Sequence, residues 1–125
     1  MEIDQVTSLI IEEGIYIHKA LGPGLLESVY EEILYYRLLK RGVSVSRQQK
    51  IPVIFEDVTM ELAFRADLIV ESKVLVELKA MDVIPPAHYK KLLTYLKLTK
   101  LKVGLMMNFN EVLLKKGIKR MVNNY

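Results

Sequence analysis

Asp67, Glu77 and Lys79 combine two carboxylates and an amine within thirteen residues. They lie in FRADLIV (64–70) and VLVELKA (74–80), two short runs rich in Val, Ile, Leu and Phe with only Glu71, Ser72 and Lys73 between them. A polar break that short between two such runs predicts a β-hairpin. With a three-residue loop, Val70 pairs with Val74, Leu68 pairs with Val76, and Asp67 falls opposite Glu77. Side chains opposed in this way have Cβ atoms about 4.5–5.5 Å apart, and Lys79, two residues beyond Glu77, shares their face. Facing carboxylates destabilise a sheet, and one of them should have its pKa raised. A divalent cation removes the conflict, since Mg²⁺ is held by one or two carboxylates plus phosphate oxygens and waters. The trio therefore points to a site that cleaves phosphodiesters. The plainer alternative is a solvated pair neutralised by Arg65 and Lys79. A two-residue loop would in any case put the carboxylates on opposite faces.

Other elements must position this hairpin. Ile3, Val6, Ile10, Ile17 and Leu21 mark a helical stripe over residues 3–20, interrupted by Gly14, with His18 read as a cap or surface group. Pro23 and Gly24 then call for a turn. A second helix is expected over 25–41 from Leu26, Val29, Tyr30, Ile33, Leu34 and Leu38, with Gly42 as its C-terminal cap. Glu27 lies in its first turn beside the packed face. It either serves the helix dipole or reaches the hairpin as a third acidic group.

Residues 43–55 read as a strand in which Pro52 implies an edge or a bulge, and 56–59 as a turn. Gln49 is a polar residue inside that strand that could face the site. After the hairpin, Pro85 and Pro86 suit the start of a helix, expected over 87–99 with Tyr89, Leu92, Leu93 and Leu96 buried. His88, Lys91 and Tyr95 share a neighbouring stripe, where Lys91 is either a phosphate contact or one more surface lysine. Residues 102–109, KVGLMMNF, suit a strand covered on both faces, with Met106 and Met107 as core filling. The amphipathic, basic tail over 111–122 is a candidate edge strand. The order α-α-β-β-β-α-β predicts an α/β sandwich, a mixed sheet of four to five strands flanked by helices, with the 74–109 crossover parallel and right-handed.

Composition narrows the chemistry. The 125 residues, 51% hydrophobic, suit one domain over 1–125. With no cysteine, a metal must be bound through oxygen or imidazole. No run approaches the ~20 apolar residues a membrane helix needs, and the first residues are acidic where a secretory signal is basic. A cytoplasmic protein without membrane contact is expected. Residues 1–79 carry 9 Lys/Arg and 13 Asp/Glu, whereas residues 80–125 carry 9 and 2. Such basic clustering suits phosphate backbones, although a solvated lysine face is the commoner cause.

Gly24-Leu-Leu-Glu27-Ser-Val-Tyr30 matches the signature of the GxxExxY family, and RADL (65–68), VELKA (76–80), LLTYLK (92–97) and KVGLMMNF resemble its other blocks in order and spacing. The likeness runs from about residue 5 to residue 122. The GxxExxY family resembles a small branch of the PD-(D/E)XK nuclease superfamily, with a restriction-endonuclease-like fold. The resemblance implies that Asp67 and Glu77 are ligands of Mg²⁺ or Mn²⁺, that Glu27 helps to hold the cation, and that Lys79 is the catalytic lysine. The Leu78 carbonyl is a plausible extra ligand. The usual Gln-x-x-x-Tyr motif appears here as Lys91-Leu-Leu-Thr-Tyr95, with lysine in place of glutamine. The function implied is metal-dependent hydrolysis of nucleic-acid phosphodiester bonds, with Lys90, Lys91, Lys97 and Lys100 along the backbone of DNA or RNA. The rivals are a non-catalytic nucleic-acid-binding module and a protein-interaction domain that forms a homodimer.

Overall fold

A computed structural model describes residues 1–125, apart from the side chains of residues 62 and 63. Two helices come first, α1 (Ile3–Leu21) and α2 (Glu27–Lys40). Val6, Ile10 and Ile17 of α1 are buried at helical spacing, as are Tyr30, Leu34 and Leu38 of α2. The expected helix is continuous, and Gly14 interrupts only its apolar stripe. α1 runs through it, and a Cβ there would lie 2.5 Å from the Met107 side chain, so the missing side chain lets the helix sit close to the sheet. α2 ends at Lys40, and Gly42 follows at φ 84, the left-handed geometry that glycine adopts without penalty.

Three antiparallel strands follow, β1 (Val45–Phe55), β2 (Val58–Val70) and β3 (Val74–Lys79). Helix α3 (Pro86–Thr99) leads to β4 (Val103–Asn108), and a 3-10 turn (Leu114–Gly117) precedes β5 (Ile118–Val122). The five strands lie in chain order, β3 and β4 are parallel, and the other neighbours are antiparallel. The expected mixed sheet is present, and the tail supplies its far edge. β1 is the other edge, and its register slips between Ile51 and Val53 at Pro52, which has no N–H to give the ladder. The turn before β2 is shorter than expected, because Val58 and Thr59 already pair with Phe55 and Ile54.

Apolar side chains divide between two cores. One gathers α1, α2 and one face of β2–β4, including Leu68, Val70, Val76, Leu78 and Met107. The other holds α3 against Ala66, Ile69, Leu75 and Met106. β4 is buried along its whole length, as a strand sandwiched by helices must be. Two expectations fail in phase. His18 is buried and packs toward Phe109, with ring centroids 6.1 Å apart. On α3 it is Tyr95, with Leu92 and Leu96, that is buried, while Tyr89 and Leu93 are half-buried.

Candidate functional site

The β2–β3 loop has three residues. Glu71 and Ser72 take φ of 55 and 52, and the Lys73 N–H donates to the Val70 carbonyl at 3.0 Å. Val70 pairs with Val74 and Leu68 with Val76, the register that sets Asp67 opposite Glu77. The strand ladder stops there. The Leu78 N–H donates to Asp67 Oδ2 at 2.9 Å, so a carboxylate takes the place of a backbone carbonyl. A strand residue's N–H and C=O leave by the same edge, so the Leu78 carbonyl faces the same gap. Alternation also breaks at Asp67: Ala66 belongs to the α3-side core, whereas Leu68, two residues on, belongs to the opposite one.

Glu77 is 7% exposed, and its Oε1 has no hydrogen-bond partner. Burial pushes its pKa up to about 9, aided by the charge of Asp67 and a hydrogen bond to it, with Lys79 opposing. Ionising a buried carboxyl that has an unpaired oxygen is costly. Its neighbour is a second carboxylate, so bringing in a cation lowers the cost of both.

Asp67 is held from the other side by residues that the sequence reading passed over. Gln48 Nε2 donates to Asp67 Oδ1 at 3.2 Å and to Glu31 Oε1 at 2.7 Å. Glu31 is buried, and its Oε2 accepts from Arg47 Nε at 2.7 Å. Gln48 reaches both acids because its backbone is left-handed, at φ 54, in the middle of β1. This conformation costs a non-glycine residue about 1–2 kcal/mol. Gln49, the polar strand residue that could have faced the site, is exposed and accepts from the Ser46 hydroxyl. One signal for Glu31 was available, since it lies four residues after Glu27 and so on the same side of α2.

Glu27 opens α2 and is exposed. Its carboxyl is raised above the ordinary value chiefly by desolvation, lowered by Lys79, and raised by Asp67 and Glu31, so it lies within electrostatic reach of Asp67. The Gly24–Glu27–Tyr30 spacing has a local cause. Gly24 takes φ 109, and the buried Tyr30 hydroxyl donates to the Gly22 carbonyl while accepting the Leu25 N–H at 3.1 Å. Tyr30 also stacks on Phe109, with centroids 4.5 Å apart. These contacts fix the loop that delivers Glu27. Among the described residues, no three His, Cys, Asp or Glu side chains lie close enough together to form a ready-made metal cage. The close acidic pair is Asp67 and Glu77, and Glu27 is near enough to feel the charge of Asp67.

On the α3 side, Glu77, Lys79, His88, Lys91, Leu92, Tyr95 and Met106 line a cavity of about 20 Å³. A cavity of at least ~10–15 Å³ can hold one water, so a single small occupant fits against Glu77. Burial, Glu77 and Asp67 together push the Tyr95 hydroxyl up to about 12. It therefore stays a neutral donor. Burial, Lys79 and Lys91 lower the pKa of His88. Lys79 and Lys91 thus reach the same small space, as does His88. Asn108, whose only sequence signal was a polar residue closing an apolar run, holds the segment after Lys79. Its side chain accepts the Met81 N–H at 3.2 Å and donates to the Met81 carbonyl at 2.8 Å.

The donors on hand are hard oxygens from Asp67, Glu77 and the Leu78 carbonyl, which suit Mg²⁺ or Mn²⁺ better than a soft metal. A family model described as the PD-(D/E)XK nuclease superfamily matches residues 4–121. No curated protein and no solved structure matches the chain.

Proposed function

The chain belongs to the PD-(D/E)XK nuclease superfamily, and from that premise we propose that it hydrolyses nucleic-acid phosphodiester bonds with Mg²⁺ or Mn²⁺. The observation that carries the proposal is the unpartnered Oε1 of buried Glu77 beside Asp67. Asp67, Glu77 and the Leu78 carbonyl would hold the cation, and Glu27 would add negative charge near Asp67. A bound cation supplies Lewis acidity toward a phosphate oxygen and acidifies water.

The chain's own residues do the rest. Asp67 is fixed before substrate arrives, by the Leu78 N–H and by Gln48. Lys79, at the rim of the cavity, orients the attacking water and steadies charge on the phosphate as it develops. Lys91 takes a phosphate oxygen as a point charge, a role that lysine fills without the two-point geometry of an amide. Tyr95 keeps its proton and donates into the site. The Gly24, Glu27 and Tyr30 spacing supports a reading of the chain as a member of the GxxExxY branch of the superfamily.

The second reading, a nucleic-acid-binding module without catalysis, is favoured by one feature, lysine rather than glutamine at position 91. Cleavage assays on single- and double-stranded DNA and RNA with Mn²⁺, run beside Asp67→Ala and Glu77→Ala, separate the two. Activity lost in both variants supports hydrolysis at this site. Activity that survives both refutes it, and metal-independent binding without cleavage leaves the binding module.

A further inference from the structure

A larger cleft lies between β1 and the C-terminal end of α3, with a volume of about 670 Å³. Its floor is apolar, made by Ile51, Pro52, Ile69 and Leu101, and Lys50, Lys97 and Lys100 stand around it, all exposed. A second cavity of about 340 Å³ shares Lys97 and Lys100 and adds Lys102. These lysines are uncommitted. Each ion pair among the described residues is made by an arginine, and none by a lysine. Residues 83–110 contain five lysines and no Asp or Glu. A focus of positive charge with no internal counter-charge attracts anions.

Building on the proposed nuclease reading, we infer that this cleft binds a single strand of nucleic acid next to the carboxylate pair, with phosphates on Lys50, Lys97 and Lys100 and a base or sugar on the apolar floor. The volume falls in the range of clefts that enclose one small ligand, about 300–1,000 Å³. A duplex, whose major groove alone is about 12 Å wide, cannot enter such a space, and an apolar floor is useful only to something that does. The path from the site is short. Lys91 lines the Glu77 cavity, and Lys97 and Lys100 lie six and nine residues further along and just past the same helix, about 9 and 14 Å at 1.5 Å per residue. On the sheet, Gln48 touches Asp67 while Gln49 and Lys50 open the cleft. A strand held here would run along α3 to the carboxylates.

Anisotropy of a labelled single-stranded 12-mer in EDTA tests this without cleavage. At about 0.1 M salt, three lost single-strand phosphate contacts, each worth roughly fivefold, weaken binding by about 100-fold and reduce the salt slope by about 2. Lys50→Ala/Lys97→Ala/Lys100→Ala should show this loss with an unchanged melting temperature, whereas Lys115→Ala/Lys116→Ala, on the 3-10 turn, should bind as wild type. Ile54→Asn, at a lining residue that is 64% exposed, should weaken the single strand several-fold and leave a duplex of the same length unaffected. Wild-type affinity in the triple variant overturns the inference, as does an equal effect of Ile54→Asn on both nucleic acids or a wild type that binds neither. Failure of the nuclease reading looks different: no metal supports cleavage, yet the triple variant still loses the strand.

Discussion

Glu77→Gln keeps the shape of the side chain and removes its ionisation, which isolates the charge conflict at the centre of the site. In the metal-free protein the Glu77 carboxyl is raised from 4.5 to about 9. The native state therefore holds this proton more tightly than the unfolded chain does. Its stabilising effect is complete below 4.5 and is lost progressively as pH rises from there toward 9. Between 4.5 and pH 7 the loss amounts to about 3 kcal/mol, at about 1.4 kcal/mol per pH step. Glutamine has no such dependence. In EDTA the stability of the variant relative to wild type should grow from near zero at pH 4 to about 3 kcal/mol at pH 7. For a chain of this length that is on the order of 10 °C in Tm. Urea or thermal melts of both proteins from pH 4 to pH 9 read the difference directly. With Mn²⁺ at about 100 times its Kd, wild type should recover about 2.7 kcal/mol while the variant gains little. Parallel pH profiles for the two proteins would mean that Glu77 is solvated and unstrained, and the reasoning would fail.

The other predictions concern what holds the pair. Asp67→Asn should cut Mn²⁺ affinity at least tenfold by calorimetry, because it removes the carboxylate that the Leu78 N–H braces. Gln48→Gly should be more stable than Gln48→Ala by about 1 kcal/mol, since glycine takes φ 54 without strain, yet both should bind Mn²⁺ roughly 10-fold more weakly for want of the Glu31–Asp67 bridge. Equal stability of the two would show that the left-handed backbone carries no cost. Tyr30→Phe should cost about 1–2 kcal/mol in urea melts, because the Leu25 N–H and Gly22 carbonyl lose their partner, and nuclease activity should fall further than stability as Glu27 loses its fixed loop.

What could be read from the sequence was what local periodicity and loop length control. The helices followed from apolar residues three and four apart, and the hairpin register from a three-residue polar break, which was enough to put Asp67 across from Glu77. Pro52 at an edge and the buried run at 103–108 were equally legible, since each reflects a backbone hydrogen-bonding constraint that the residue itself carries. The rest depends on contacts distant in the chain. The bridge made by Gln48 depends on Glu31 and Asp67, 17 and 19 residues away, which both accept its amide. His18 is buried because Phe109 arrives beside it, and Tyr95 displaces Leu93 from the packed face of α3 because Phe64 packs against it, the rings tilted by 57° with centroids 5.0 Å apart. Nothing within a few residues of those positions encodes the partner. Lys79 and Lys91 illustrate the limit from the other side: their types suggested phosphate chemistry, and the cavity they share with Glu77 and Tyr95 exists only once the crossover helix lies on the sheet.

If Asp67 and Glu77 form one site for a divalent cation, a crystal soaked in Mn²⁺ and measured at the manganese absorption edge should reveal it. A single anomalous peak is expected at about 2.0–2.3 Å from carboxylate oxygens of both residues, absent in Glu77→Gln. No peak at the pair, or a peak that survives that substitution unchanged, would contradict it.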